Sequence, residues 1–60
     1  MKIRYDLHSA YEAGHTEHPQ KEMKKLGFEV LSFEGVPIAD CAIMEIMPTS
    51  NDLPSFLEVI

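Results

Sequence analysis

The sequence predicts a small two-layer α+β domain with the order strand, helix, strand, strand, helix. Three observations carry that prediction. Residues 2–8, KIRYDLH, alternate polar and apolar positions, as a strand with one wet face does. From Thr16 the apolar spacing changes to three and four, and the run ends on Gly27, the residue type that closes helices. Residues 28–47 then hold two extended runs separated by Gly35-Val36-Pro37, a turn between strands.

In the first strand, Ile3, Tyr5 and Leu7 share one face and Lys2, Arg4, Asp6 and His8 the other. The alternation weakens through Ser9, Tyr11 and Ala13 toward Gly14. Ser9 and Glu12 also spell a capping box, SAYE, which would start a turn of helix there instead. The helix is predicted over residues 17–26. Pro19, Met23 and Leu26 form a narrow apolar stripe, Lys24 and Lys25 complement the dipole in the last turn, and Glu17 lies four residues before Lys21. A stripe that narrow covers a sheet and does not make a core alone.

FEVLSFE, residues 28–34, is rich in aromatic and β-branched side chains and reads as the second strand. Residues 38–47, IADCAIMEIM, are apolar on both faces, with Ile38, Ala42, Met44 and Ile46 on one and Ala39, Cys41, Ile43 and Met47 on the other. Such a strand is central in its sheet and covered on each face, by helices or by another chain. The last segment, PTSNDLPSFLEVI, begins with cap-forming residues and spaces Leu53, Phe56, Leu57 and Ile60 for a second helix, with Pro54 in its first turn. No C-cap follows Ile60, which leaves open that the chain belongs to a longer protein.

This order resembles the ferredoxin-like split βαβ arrangement without its last strand, a resemblance of topology alone. An incomplete sheet has an exposed edge, and edges invite pairing. Sixty residues bury only about 60% of the surface the unfolded chain exposes, and with Cys41 as the only cysteine no internal disulfide reinforces the core. Both considerations predict a homodimer that continues the sheet or buries the second face of residues 38–47, with Cys41, Ile43 and Met47 at the interface.

The net charge is −5, unevenly placed. All five basic residues lie within residues 1–25, which carry a net +1, whereas residues 26–60 carry six acids and neither Lys nor Arg. That asymmetry disfavours direct binding to nucleic acid, whose phosphates need clustered cations, and favours a basic protein partner. Solubility alone also accounts for a charge of this size. The N-terminal residues have charges at Lys2, Arg4 and Asp6 where a signal peptide needs an apolar run, and no apolar stretch has membrane-spanning length. A cytoplasmic chain is the expectation.

Residues 12–20, EAGHTEHPQ, raise the question of a metal site, because His15 and His18 with Glu22 or Cys41 are ligand types. The more economical reading is the start of a helix, with Gly14 turning the chain, Thr16 capping, Glu17 meeting the dipole and Pro19 in the donor-free first turn. No HExxH pattern, glycine-rich phosphate loop or serine elbow is present. Cys41 as a nucleophile with His8 or His18 as base is disfavoured by Asp40 beside it and by the apolar strand around it, which suit a buried structural thiol. No cofactor is implied.

The functional expectation is a non-enzymatic interaction module whose acidic Glu29, Glu34, Asp40 and Glu45 meet a basic, nucleic-acid-binding protein. In size and charge, though in no motif, the chain resembles the small acidic inhibitors that viruses encode against host defence enzymes. The alternative is a regulatory domain that senses a small ligand or metal at a dimer interface.

Overall fold

In the computed structural model, which describes residues 1–60, strand β1 (Lys2–Asp6) buries Ile3 and Tyr5 on one face and leaves Lys2, Arg4 and Asp6 on the other. The strand stops at Asp6 because its carboxylate accepts the Ser9 amide at 3.1 Å and caps helix α1 (Leu7–Glu12). A helix therefore replaces the predicted strand tail. It starts at Leu7 rather than at the Ser9 of the capping box.

Both helices end in the same way. After α1, Gly14 takes φ 93°, its amide donates to the Tyr11 carbonyl at 3.0 Å, and the His15 amide donates to Ala10 at 2.9 Å. After α2 (Pro19–Lys25), Gly27 takes φ 90°, its amide donates to Lys24 at 3.0 Å, and the Phe28 amide donates to Met23 at 3.0 Å. These paired bonds are the Schellman motif, which only a left-handed residue closes without strain. The cap of α2 differs from the sequence expectation. Pro19 does occupy the first helical position, but His18 Nδ1 accepts the Gln20 amide at 3.2 Å, and Thr16 does not cap.

Strands β2 (Val30–Val36) and β3 (Cys41–Ile46) form an antiparallel hairpin. The predicted third strand begins later than its apolar run, because Pro37–Ala39 form a single 3-10 turn that Asp40 closes in the left-handed region at φ 51°. Ile38 is consequently not in a strand face and is 98% exposed.

The predicted C-terminal helix is absent. Residues 57–59 form strand β4 (Leu57–Val59), with Ile3 opposite Val59, Arg4 opposite Glu58 and Tyr5 opposite Leu57. Helical spacing was present, but Pro54 pushes Leu53 out of the helical region and leaves only six residues beyond it. So short a helix gains little against the cost of nucleation, whereas the free edge of β1 offers a full set of backbone partners. Phe56 and Leu57 still reach the core, at 5% and 7% exposure, but as strand entry and strand.

The sheet order is β2-β3-β1-β4, antiparallel throughout. Strands β1 and β2 run in the same direction with β3 between them, and α1 and α2 make the crossover, which is the split βαβ arrangement. The fold is α+β, as the sequence predicts, and its sheet is open at both sides. Ala10, Met23 and Phe28 pack with Ile3, Tyr5, Met44 and Ile46 in one apolar cluster. Strand β3 is central, but within the chain only one of its faces is covered.

Candidate interaction surface

The period-two alternation of the strands decides what the uncovered face presents. Register places Glu34, Ile43, Arg4 and Glu58 in one row across β2, β3, β1 and β4. The next row holds Ser32, Glu45 and Lys2, and the one on the other side Val36, Cys41 and Asp6. Half-buried Ile43 thus sits at the centre of a face with carboxylates on every strand. Two of those carboxylates have cationic neighbours: Glu45 Oε2 lies 2.6 Å from the Met1 amine, and Asp6 Oδ2 lies 3.6 Å from Arg4 Nη1. Glu34 and Glu58 are exposed and enter no ion pair within 4.0 Å. Arg4 also lies beside Asp6 in the cap of α1, and the Ser9 amide, foremost among these contacts, holds the Asp6 carboxyl below its ordinary value.

Of the acids predicted to meet a partner, the fold brings two together. Glu34 and Glu45 lie on adjacent strands of the uncovered face. Glu29 precedes β2, where its carbonyl accepts the Met47 amide at 3.0 Å, and Asp40 closes the turn at the opposite end of the hairpin. Of the predicted dimer residues, Cys41 and Ile43 share the uncovered face of β3. Cys41 is 3% exposed within the single chain, Ile43 is half-buried, and Met47 lies past the end of β3 with 47% exposure. Sequence reasoning missed Glu58 and Asp6 as members of the acidic face. The helical spacing of residues 53–60 hides Glu58, and only its pairing with Arg4 reveals its direction.

The histidines of EAGHTEHPQ part company. His15 Nδ1 lies 2.6 Å from Oε2 of Glu22, a carboxylate that is only 4% exposed, and its ring packs on Phe56 with centroids 4.8 Å apart. Lys25 Nζ approaches the other Glu22 oxygen at 3.6 Å and binds Glu17 at 2.6 Å, in place of the predicted Glu17–Lys21 pair. The Glu22 side chain is therefore buried with partners on both oxygens, the condition that makes a buried carboxylate tolerable. This cluster ties the connection after α1 onto α2. His18, by contrast, caps α2 and packs on Phe33 at 5.1 Å. No three His, Cys, Asp or Glu side chains are grouped to hold a metal ion.

Two concavities open on the surface, and neither is lined by His15 or Glu22. One, of about 440 Å³, lies between Gln20 and Lys24 of α2 and residues 27–30. The other, of about 230 Å³, is bounded by Leu7, His18, Phe33, Pro37 and Cys41. Two large apolar side chains of the hairpin are exposed near its opposite ends, Leu31 at 54% and Ile38 at 98%. No helix is long and apolar enough to cross a membrane. No family model matches the chain, and no curated protein or solved structure matches it.

Proposed function

We propose that the protein is a non-enzymatic interaction module that binds a basic protein surface through the uncovered face of its sheet. The observation that supports this reading is the row Glu34, Ile43, Arg4, Glu58, an apolar centre flanked by exposed carboxylates on both outer strands. A half-buried aliphatic centre with a charged rim is the usual anatomy of a protein interface. The acids steer a cationic partner and fix its orientation. Clustered cations of that kind belong to nucleic-acid-binding proteins, so occupation of such a site would inhibit them.

Titration of the isotope-labelled chain with an arginine-rich peptide tests the reading by NMR. Amide shifts are expected at Arg4, Glu34, Ile43 and Glu58, weakening as salt is added. Shifts spread evenly over the exposed acids Glu12, Glu17, Glu29 and Asp52 would count against a built surface. The paired substitutions Glu34→Lys and Glu58→Lys should abolish the localised shifts while leaving the circular dichroism spectrum unchanged.

A further inference from the structure

We propose that two copies of this chain pair through the outer edge of β2, antiparallel and centred on Phe33, to make one continuous eight-stranded sheet. This inference concerns the sheet edge and not its face, and it shares only Glu34 with the surface argued above for a basic partner. Strand β2 ends the sheet on one side and is seven residues long. Its outward amides and carbonyls have no strand beside them. Protected edges carry lysine, proline, an inward charge or a bulge, and the one bulge here, at Leu31, leaves residues 32–36 in regular register with β3. Val30-Leu31-Ser32-Phe33-Glu34-Gly35-Val36 has neither lysine nor proline, and its one charge lies on the uncovered face.

A second copy is the occupant because the strand is complementary to itself in one register. A two-fold axis through the sheet keeps each side chain on its own face only if a residue sits opposite its own counterpart. Centring on Glu34 sets two carboxylates directly opposite each other, which is destabilising. Centring on Ser32 sets Phe33 against the bulged Leu31, the residue at which the register between β2 and β3 slips. Centring on Phe33 avoids both faults. Phe33 then meets Phe33, and the Ser32 hydroxyl of one copy faces the Glu34 carboxylate of the other as a hydrogen-bond donor. The bulged Leu31 falls opposite Gly35 of the second copy, the one position on the strand without a side chain.

The register gives the test a sign. Ser32 is exposed on the uncovered face, so its substitution leaves the single chain folded, which a thermal melt verifies. Sedimentation velocity over a concentration series should show a monomer–dimer equilibrium for the unchanged chain. Ser32→Glu, which sets Glu against Glu34 of the other copy, should weaken the dimer at least tenfold, and Ser32→Lys, which creates two ion pairs across the seam, should preserve or tighten it. Hydrogen exchange at the β2 amides should slow as concentration rises. A monomer at every concentration overturns the proposal. So does a dimer that both substitutions weaken equally, which would mean that Ser32 faces Ser32, or one that neither affects, which would mean an interface elsewhere.

Discussion

Asp40 is the only residue other than glycine with a positive φ, at 51°, and it holds the turn from which β3 starts. Its amide donates to the Pro37 carbonyl at 3.1 Å and its carbonyl accepts the Leu7 amide at 3.1 Å. Asp tolerates this region better than a branched residue does, so Asp40→Val should cost about 1–2 kcal/mol of stability, whereas Asp40→Gly should cost none; urea unfolding distinguishes the two. Tyr5 makes the opposite argument, because its hydroxyl is buried without a hydrogen-bond partner. Tyr5→Phe removes that unsatisfied group and keeps the edge-on packing against Phe56 at 5.3 Å, so unfolding should be unchanged or up to about 1 kcal/mol harder. Burial, and secondarily the Glu22 charge, raise the Tyr5 hydroxyl above its ordinary value. A raised value favours the protonated fold, so stability is fully present below the ordinary phenol range and declines as pH rises through and beyond it. Urea unfolding at pH 8 and pH 11 should show a loss that Tyr5→Phe lessens. Some of this scale was legible in the sequence. The proline at position 19 already implied that the residue before it, His18, would be the cap, a signal outweighed by the commoner capping chemistry of Thr16. The burial of Glu22 was not legible, since nothing local marks which polar residue of an amphipathic helix faces a tertiary partner.

Elements in this chain are bounded by glycine, proline and one carboxylate, and their behaviour follows from those boundaries. Gly27→Ala forces a Cβ into the left-handed region at φ 90° and should cost about 1–2 kcal/mol. Gly35→Ala should be tolerated in the single chain, because its Cβ would meet only the Phe33 ring at an ordinary 3.8 Å; comparison of thermal midpoints separates the two glycines. At the start of α1, the lowered Asp6 carboxyl makes its contribution to stability present above the unfolded carboxylate range and lost as pH falls through the folded value. Asp6→Asn keeps the acceptor without the charge and should flatten that part of the acid unfolding curve between pH 5 and pH 2. The His15–Glu22 contact fixes the segment between the helices. His15→Ala leaves a buried carboxylate short of a partner and should cost about 1–3 kcal/mol by urea unfolding. Helix α2 and both hairpin strands were legible because their periodicity and their breakers agree. The C-terminal strand was not. Leu53, Phe56 and Leu57 are spaced for a helix, and the competing fact, an unpaired edge on β1, exists only once the sheet is assembled.

At the scale of the molecule, the sheet order follows from the position of the one strand apolar on both faces. Cys41–Ile46 is central because its alternate residues all need company, and that much was legible from composition. Which strands flank it was not, since antiparallel register depends on pairings that local sequence does not encode. The distribution of charge was legible, but its direction was not: of the six acids after residue 25, Glu34, Glu45 and Glu58 share the uncovered face because register aligns them, while Glu29 and Asp40 lie at opposite ends of the hairpin. The topology also sets the order in which the chain can fold. Strand β1 is the earliest strand in the sequence, yet both of its neighbours, residues 41–46 and 57–59, come from the last third of the chain. The β2–β3 hairpin can close locally, but the first strand has no partner until the chain is nearly complete. Nucleation therefore carries a large loop-closure cost, and refolding should take milliseconds or longer despite the small size. Stopped-flow tyrosine fluorescence should show hairpin substitutions slowing folding and β4 substitutions mainly speeding unfolding. Until β4 docks, Ile3 and Tyr5 stand at an open edge, so the newly made chain passes through a stage in which two of its most deeply buried side chains sit on a strand with an unpaired backbone.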